Sequence, residues 1–268
     1  MNRILLIIIT IAGLGMLLLI GLSFNEKKMK LVWADEFEQQ TIDNSKWNIV
    51  KGNGCPELCG FGNNELQYYT SDPENVIIND GKLVIKAEKD SIENNGFTSA
   101  KLVTSQKGDW QYGRIEVRAK LPQGRGTWPA IWMLPTLDRP MQWPADGEID
   151  IMEHVGFNQG MIYGTIHTDK YNHMKGTQKS DSIFVEDAHQ QFHVYGIEWD
   201  EQSITWFVDD EQYLTLEKGN EQKAGWPFDQ KFHLIVNLAV GGNWGGRHGI
   251  DHEIWPQTFV IDYIRVYQ

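Results

Sequence analysis

Short runs that alternate between apolar and polar residues make up most of the chain beyond its N-terminal segment. The clearest run spans residues 112–121, where Ile115, Val117, Ala119 and Leu121 share one face and charged side chains share the other. Similar runs, broken by Gly, Pro, Asn and Asp, cover residues 81–87, 193–199, 203–208, 232–240 and 258–267. Period-two alternation over short segments with turn chemistry between them is typical of antiparallel sandwiches and barrels. We predict an all-β fold: an antiparallel β-jelly-roll sandwich with one concave sheet that bears a substrate cleft.

The N-terminal segment differs from the rest in composition. Arg3 precedes residues 4–22, an uncharged apolar run of 19 residues, which as a helix reaches about 28 Å, close to the thickness of a bilayer core. This pattern predicts an N-terminal apolar helix that acts as a signal peptide or an uncleaved signal-anchor over residues 1–23; a buried core helix is the third reading. Residues 24–30 then form a polar linker, and residues 31–268 form the folded domain. We expect this domain outside the cytoplasm, as a secreted, periplasmic or membrane-anchored protein whose N-terminal segment meets the membrane.

Composition restricts the class of ligand. The chain has 36 acidic and 24 basic residues, a formal net charge of −12. A nucleic-acid partner requires a basic surface, so none is expected, and strongly anionic polysaccharides are disfavoured for the same electrostatic reason. The 11 tryptophans either fill the core or line a cleft that stacks on flat rings. We therefore expect a neutral ligand, and we expect the protein to be a monomer.

The two cysteines, Cys55 and Cys59, lie in the sequence GCPELCG. Structural zinc takes four protein ligands, and a single C-x₃-C motif supplies too few. Because an exported protein meets an oxidising compartment, we predict that the two residues form a disulfide that closes a short loop.

The segment GEIDIMEH places three carboxylates, Glu148, Asp150 and Glu153, close together. On a strand, Glu148 and Asp150 share a face, whereas the odd spacing to Glu153 sends that residue to the opposite face. One extra residue at Ile151–Met152, a β-bulge, restores the parity. The pattern therefore predicts a bulge and three acids on one surface, an arrangement that like-charge repulsion makes costly unless function requires it.

Glycoside hydrolysis requires such carboxylates. Retaining enzymes use a nucleophile and an acid about 5–5.5 Å apart, and inverting enzymes use a pair about 6.5–9.5 Å apart. Glu148 and Glu153 can lean together over Asp150, which shares a proton and helps to keep one glutamate protonated. Retention is the predicted outcome, although the spacing alone leaves inversion open. The other readings are an acidic strand that faces solvent and a calcium site.

The motif EIDIME resembles the bulged E-x-D-x-x-E signature of glycoside hydrolase family 16, in its laminarinase-like (endo-β-1,3-glucanase) branch. The resemblance covers the chain after residue 31 and rests on six segments in the family's order. These segments are ADEF (34–37), GNNELQYY (62–69), YGRIEVR (112–118), WPAIWMLP (128–135), GTIH (164–167) and NLAVGGNW (237–244). Any one of them is weak, but six in order are a specific signal.

The resemblance implies a role for each matching residue. Glu148 is the expected nucleophile, Asp150 its electrostatic helper and Glu153 the acid/base, with no cofactor for catalysis. The expected substrate-binding residues are Asn63, Glu116, Arg118 and Asn237 at sugar hydroxyls, His167 beside the acid/base, and Trp128, Trp132 and Trp244 as stacking platforms. From alternation alone, Glu116 and Arg118 lie either on a solvated outer face or in the cleft.

The resemblance also implies a structural calcium ion on the convex face. Its ligands are expected to be the Asp262 carboxylate and the backbone oxygens of Glu36 and Gly81.

Three functions fit this reading. The first is an endo-acting, retaining hydrolase of neutral β-1,3-glucan, with mixed-linkage β-1,3-1,4-glucan as a second substrate. The second is a related activity on another polysaccharide, such as that of an agarase or a carrageenase; the acidic balance disfavours sulfated substrates. The third is a non-catalytic glucan-binding sensor, which the presence of all three carboxylates disfavours.

Overall fold

The computed structural model describes residues 29–92 and 95–268. The predicted N-terminal signal or anchor segment, residues 1–23, lies outside the described residues, as does the predicted linker up to residue 28. Within the described ranges, no helix has both the length and the apolar character needed to cross a membrane.

Eighteen strands and three short 3-10 helices make up the described part of the chain. In chain order the strands are β1 (Leu31–Asp35), β2 (Asn48–Val50), β3 (Gln67–Tyr69), β4 (Val76–Asn79), β5 (Lys82–Ile92), β6 (Asn95–Ser99), β7 (Lys101–Val103), β8 (Asp109–Trp110), β9 (Gly113–Lys120), β10 (Thr127–Pro135), β11 (Glu148–Glu153), β12 (Met161–His167), β13 (Lys179–Phe184), β14 (His193–Trp199), β15 (Ser203–Val208), β16 (Glu211–Glu217), β17 (Phe232–Val240) and β18 (Gln257–Tyr267). The 3-10 helices are Cys59–Gly62, Gly156–Asn158 and His173–Lys175.

The strands form two sheets. The ten-stranded sheet has the order β16-β15-β14-β9-β18-β5-β6-β3, with β1 paired to β18 and β4 to β5. The eight-stranded sheet has the order β13-β12-β11-β10-β17-β7-β2, with β8 paired to β17. Of the strand pairs in the described ranges, only β3 and β6 run parallel. The predicted all-β antiparallel sandwich is confirmed.

Alternation along the strands builds the core between the sheets. On β9, Ile115 and Val117 are fully buried and the charged residues between them are half-buried. On β11 the inward residues Ile149 and Met152 are equally buried. Because every second side chain of each sheet points inward, apolar residues of both sheets interdigitate in one core.

Most local predictions hold at the level of single strands. The six alternating runs correspond to β5, β9, β14, β15, β17 and β18, and the segment between β15 and β16 is a tight hairpin turn in which Asp209 has φ of 53°. Cys55 and Cys59 are joined by a disulfide.

The two outer faces of the sandwich carry different charged groups. We call the outer face of the eight-stranded sheet, with Glu148, Asp150 and Glu153, the acidic face. We call the outer face of the ten-stranded sheet, with Glu116, Arg118 and Asp262, the ion-paired face. The two faces lie on opposite sides of the core, because β11 belongs to one sheet and β9 and β18 belong to the other.

This arrangement corrects one prediction. Glu116 and Arg118 do not contact a substrate beside the three acids, because β9 turns them away from the eight-stranded sheet. Instead, Arg114 donates to the Glu116 carboxylate at 2.6 Å and Arg118 donates to the carboxylate of Asp262. Alternation correctly grouped the two residues on one polar face and left both positions of that face open, whereas their assignment to the cleft, which the resemblance implied, was wrong.

Candidate active site

The predicted bulge brings the three acids onto one surface. Ile131 of β10 pairs with Met152, but the next residue, Trp132, pairs with Asp150, so Ile151 is the extra residue. The pairing of β11 with β12 shifts between Asp150 and Glu153 as well. Because Ile151 and Met152 both point into the core, Glu153 returns to the acidic face.

Glu148 is held at the start of β11 by the preceding loop, residues 136–147. The indole Nε1 of Trp143 donates a hydrogen bond to Glu148 Oε2 at 2.8 Å. The loop is pinned by the buried carboxylate of Asp146, which accepts two hydrogen bonds from Arg139, at 2.7 and 2.6 Å. Gly147, with φ of 95°, then turns the chain into β11; a Cβ there would lie 2.8 Å from Pro227.

Asp150 lies between the two glutamates and is 3% exposed. The indole N–H of Trp206, which comes from the ten-stranded sheet, donates to the backbone oxygen of Asp150 at 2.8 Å and holds β11 in place from the core side. His167 Nε2 lies 3.4 Å from Asp150 Oδ2 and 3.8 Å from Glu148 Oε1. Because β12 pairs His167 with Glu148 and Tyr163 with Glu153, the imidazole faces the first two acids, and the prediction that it lies beside the acid/base Glu153 is corrected.

Glu153 has aromatic neighbours. Trp128 Nε1 donates to Glu153 Oε1 at 3.0 Å. Trp244 meets Trp128 edge-on, with 5.7 Å between ring centroids, and Tyr163 at 5.1 Å. Both Trp128 and Trp244 are half-buried, so their rings border the acidic face and lie partly open to solvent.

Burial changes the protonation of all three acids. Loss of solvation raises the pKa of Glu148 to about 8, with a further increase from the charge of Asp150. Burial likewise raises the pKa of Asp150. The pKa of Glu153 lies well above its ordinary value because of burial and of repulsion from Asp150 and Glu148. Since the three acids face one another without an arginine or lysine ion pair among them in the described part of the chain, ionisation of one acid disfavours ionisation of its neighbours.

The polar residues of β10 and β17 continue the acidic face away from β11. Trp132 Nε1 donates to Asn237 Oδ1 at 2.7 Å, and Asn237 Nδ2 donates to the hydroxyl of Tyr69 at 3.0 Å. Asn63 lies in the loop before β3, where its side chain donates to Glu65 Oε1 at 3.4 Å and its backbone oxygen accepts from Asn243. Carboxylates, amides and half-buried indoles on one surface are suited to binding a sugar polymer.

Sequence and structure comparisons agree with this geometry. Residues 63–265 match the model of Glycosyl hydrolases family 16. The chain is 51% identical over 250 residues to a β-glucanase from Rhodothermus marinus, covering 89% of this chain and 85% of that protein. This chain belongs to glycoside hydrolase family 16.

Two further relatives support the same assignment. The glucan endo-1,3-β-glucosidase A1 of Niallia circulans is 40% identical over 260 residues, which are 90% of this chain and 38% of that protein. The crystal structure of the laminarinase from Rhodothermus marinus superposes with a TM-score of 0.85 at 49% identity, covering 90% of this chain and 97% of that one. The family 16 chain is therefore a glycoside hydrolase with a laminarinase-like jelly-roll fold.

The structure gathers most of the predicted site residues of this family 16 enzyme on one face. Those on the acidic face or at its border are Glu148, Asp150, Glu153, Asn63, Trp128, Trp132, His167, Asn237 and Trp244. Glu116 and Arg118 lie on the ion-paired face. Among the described residues, one set of acidic and histidine side chains has ligand atoms close enough together to hold a metal ion. The set is Glu148, Asp150 and His167, whose ligand atoms lie within 4.8 Å of one another.

Three residues of the acidic face were missed from the sequence. Trp143 donates to Glu148, and His173 packs against Trp143 and His167, at 5.1 Å from each ring. Lys101 lies over the Trp132 ring, with Nζ 4.6 Å from its centroid. The sequence WPADGE before the first acid was a usable signal for Trp143, whereas nothing local to Lys101 or His173 points to the site.

The residues predicted to bind calcium also lie together. Glu36, Gly81 and Asp262 line one open pocket of about 550 Å³ on the ion-paired face. Asp262 Oδ2 accepts a hydrogen bond from Arg118, and Oδ1 lies 3.9 Å from Lys82 Nζ. The oxygen donors of this open, polar pocket are of the kind that Ca²⁺ prefers, but Arg118 and Arg265 line the pocket as well, so an ion there would replace Arg118 at the Asp262 carboxylate.

Proposed function

We propose that this protein is an endo-acting, retaining β-glucan hydrolase that cleaves β-1,3-glucosidic bonds, with mixed-linkage β-1,3-1,4-glucan as a second substrate. The observation that carries the proposal is the bulged strand β11, which aims Glu148, Asp150 and Glu153 at one face. The relatives described as a β-glucanase and a glucan endo-1,3-β-glucosidase support the substrate class.

The surroundings of the glutamates assign their roles. Burial and the charge of Asp150 raise the pKa of both glutamates, whereas His167 and a tryptophan indole N–H lower each of them. Glu153 is also repelled by Glu148, which further favours the protonated form of Glu153. This difference fits Glu148 as the nucleophile and Glu153 as the general acid.

The reaction then proceeds in two displacements. Glu153 gives its proton to the glycosidic oxygen while a Glu148 oxygen bonds to the anomeric carbon and the glycosidic bond breaks. Glu153, now ionised, takes a proton from the incoming water, which displaces Glu148 and restores the β configuration. Asp150 holds a shared proton with Glu148 before attack, and its charge helps Glu153 to recover a proton at the end of the cycle.

The experiment that tests the substrate class is a parallel assay of reducing-sugar release from laminarin, lichenan, agarose and carrageenan. We expect the highest kcat/KM on laminarin and short oligosaccharides as early products, because an endo enzyme cuts within the chain. Preferential cleavage of agarose or carrageenan would contradict the proposal. An absence of cleavage of all four, with retained binding to laminarin, would indicate the non-catalytic sensor instead.

We further propose that the pocket on the ion-paired face holds a structural calcium ion, bound by the Asp262 carboxylate and by backbone oxygens of Glu36 and Gly81. Such an ion would tie β18 to the chain after β1 and to the turn before β5 without taking part in catalysis. Added Ca²⁺ is expected to raise the melting temperature of chelator-treated protein, and Asp262→Asn is expected to remove this response. A melting temperature that is insensitive to Ca²⁺ in the parent would contradict the site.

We propose that the catalytic domain acts outside the cytoplasm. The apolar run over residues 4–22 and the disulfide between Cys55 and Cys59 support this location, since disulfides persist in oxidising compartments. Fractionation of cells that express the full chain is expected to find glucanase activity in the medium, the periplasm or the outward-facing membrane fraction. Activity confined to the cytosol would contradict it.

We also propose that the enzyme is a monomer, since one chain carries all three acids and the aromatic residues that border them. Sedimentation velocity of residues 29–268 is expected to give a single species of monomer mass. A stable dimer at micromolar concentration would contradict this proposal.

A further inference from the structure

Lys101 places a positive charge on the otherwise acidic face. It is the first residue of β7, and its neighbour Leu102 is fully buried, so the lysine side chain points outward. Its register partner on β17 is Asn237, which bonds Trp132. Lys101 therefore lies on the same surface as the three acids, on the β10–β17–β7 side of β11.

Two aromatic rings hold the ammonium group. Nζ lies 4.6 Å from the centroid of Trp132 and 5.0 Å from that of Phe61. The negative face of an aromatic ring attracts a cation, but it does not replace the hydrogen-bond acceptors that an ammonium group binds in water. Among residues 29–92 and 95–268, Lys101 makes no side-chain hydrogen bond and no ion pair, so its donors remain available to a ligand.

The loop that carries Phe61 is constrained in the conformation that places the Phe61 ring beside Lys101. Phe61 adopts φ of 51°, a left-handed conformation that a bulky side chain rarely takes, and it packs against Tyr69 at 5.1 Å. The disulfide of Cys55 and Cys59 closes the preceding turn. A residue held in an unfavourable backbone conformation by its surroundings is typical of functional sites.

We propose that Lys101 is a further substrate-binding residue, which donates hydrogen bonds from its ammonium group to the hydroxyl oxygens of the sugar that lies between Trp132 and the Phe61 loop. The inference rests on the proposed function and adds a residue that determines affinity on the β7 side of the scissile bond.

The surrounding charges favour a neutral sugar as the occupant. Glu65 and Glu148 both act on Lys101, so an anionic sugar at this position would meet carboxylates as well as the ammonium. A hydroxyl oxygen accepts from the ammonium without that repulsion. Three inter-strand spacings separate β7 from β11, about 14 Å in total, so a polymer that crosses the strands from Glu148 passes over Trp132 before it reaches Lys101.

The test compares Lys101→Met with the matched control Lys120→Met. Lys120 also lies over an aromatic ring, with Nζ 5.5 Å from the centroid of Phe192, but it belongs to β9 on the ion-paired face. We expect Lys101→Met to lower kcat/KM on laminarin by about 10- to 100-fold, the scale of a lost hydrogen bond to a charged group, with most of the change in KM. Lys120→Met is expected to match the parent, and Lys101→Arg, which keeps the charge and the donors, to recover most of the loss.

Direct binding separates affinity from chemistry. Calorimetric titration of Glu148→Ser with a laminarin oligosaccharide is expected to show a dissociation constant about 10- to 100-fold lower than the double variant with Lys101→Met. Equal affinities would overturn the proposal, as would a Lys101→Met enzyme that loses thermal stability while its KM stays unchanged. Should Lys101→Met fail to fold, Lys101→Gln, which keeps a polar side chain without charge, is judged by the same criteria.

These outcomes are distinct from a failure of the proposed function. A parent enzyme that cleaves another polysaccharide in place of laminarin refutes the β-1,3-glucan assignment, and the same comparison on that polymer then decides the role of Lys101.

Discussion

The two outer faces of this sandwich both carry carboxylates, but the groups that donate hydrogen bonds to those carboxylates differ in charge. On the ion-paired face, Arg265 donates two hydrogen bonds to Glu36, at 2.8 and 2.9 Å, and Arg118 donates to Asp262. On the acidic face, Glu148 and Glu153 instead accept hydrogen bonds from the neutral indoles of Trp143 and Trp128.

This difference separates structural from chemical use of the same residue type. A carboxylate beside an arginine stays ionised and contributes modestly to stability. A buried carboxylate that has acidic neighbours and only neutral donors holds a proton far above its ordinary pKa, as Glu148 does at about 8. The acidic face thus holds protons that can be transferred to a substrate. The experiments below compare the acidic face with the ion-paired face, or compare Glu148 with Glu153 within the acidic face.

The largest contrast is expected between Glu148→Ser and Glu116→Ser. Without the nucleophile no covalent intermediate forms, so Glu148→Ser is expected to lose at least about 10⁴-fold in kcat on laminarin, and Glu116→Ser to stay within a few fold of the parent. Supplied with an α-glucosyl fluoride, Glu148→Ser is expected to make β-linked product, because fluoride leaves without protonation while Glu153 acts as base. Substantial hydrolysis of laminarin by Glu148→Ser, or an equal loss of kcat in Glu116→Ser, would contradict the distinction between the two faces.

The second contrast lies within the acidic face, between Glu153 and Glu148. Glu153→Ala is expected to lose about 10²- to 10⁴-fold on laminarin, the scale of general acid–base catalysis, and much less on aryl glycosides whose leaving groups need no proton. Azide is expected to accelerate Glu153→Ala and to give a β-glycosyl azide, since it attacks the covalent intermediate without a base. If Glu148→Ser gives the same azide product, the two roles have been assigned wrongly.

A smaller effect is expected for Asp150→Asn on the pH dependence of kcat/KM. The charge of Asp150 raises the pKa of Glu153; its removal therefore lowers that pKa, and the acid loses its proton at a lower pH. The alkaline limb of the profile is expected to move to lower pH, together with a loss of about 10- to 100-fold in rate. Glu116→Gln serves as the control with an unchanged profile, and an alkaline limb that stays in place or moves upward in Asp150→Asn contradicts the coupling.

The smallest effects are expected on the free energy of unfolding. A substitution on the acidic face is expected to raise it, and a substitution on the ion-paired face is expected to lower it. Because the folded-state pKa of Glu148 is raised to about 8, this group contributes stability below its ordinary pKa of about 4.5 that is lost as the pH rises through 8. Glu148→Gln is therefore expected to be more stable than the parent at pH 9, by about 1–3 kcal/mol. Glu116→Gln, which breaks an ion pair, is expected to lose about 0–1 kcal/mol, and chemical denaturation at pH 5 and pH 9 measures both.

Sequence reasoning recovered the elements that obey a local rule. Alternation predicted the strands, and the odd spacing of Glu148 and Glu153 predicted the bulge at Ile151. Both predictions succeeded because the face on which a strand residue lies follows from its spacing along the sequence. Alternation also grouped Glu116 with Arg118, but it does not say which side of a sandwich a strand covers. Only the pairing of β9 with β14 and β18 decides that, and it places both residues away from the acids.

The residues that were missed reach the site from distant segments. Lys101 and Phe61 come from separate parts of the chain and meet each other, and Lys101 meets Trp132 because β7 pairs with β17. His173 reaches His167 from the loop after β12. Such contacts depend on strand order and loop path, so the three acids were predictable from one motif, whereas the contacts of Lys101, Phe61 and His173 were not.

The most direct test of the paired roles of Glu148 and Glu153 is the anomeric form of the first product. Proton NMR during the first turnovers of the unmodified enzyme on a laminarin oligosaccharide resolves α and β reducing ends before they interconvert. Two displacements on the acidic face predict that the β-anomer appears first and the α-anomer only later by mutarotation. If the α-anomer appears first, the enzyme inverts, and a covalent intermediate on Glu148 is contradicted.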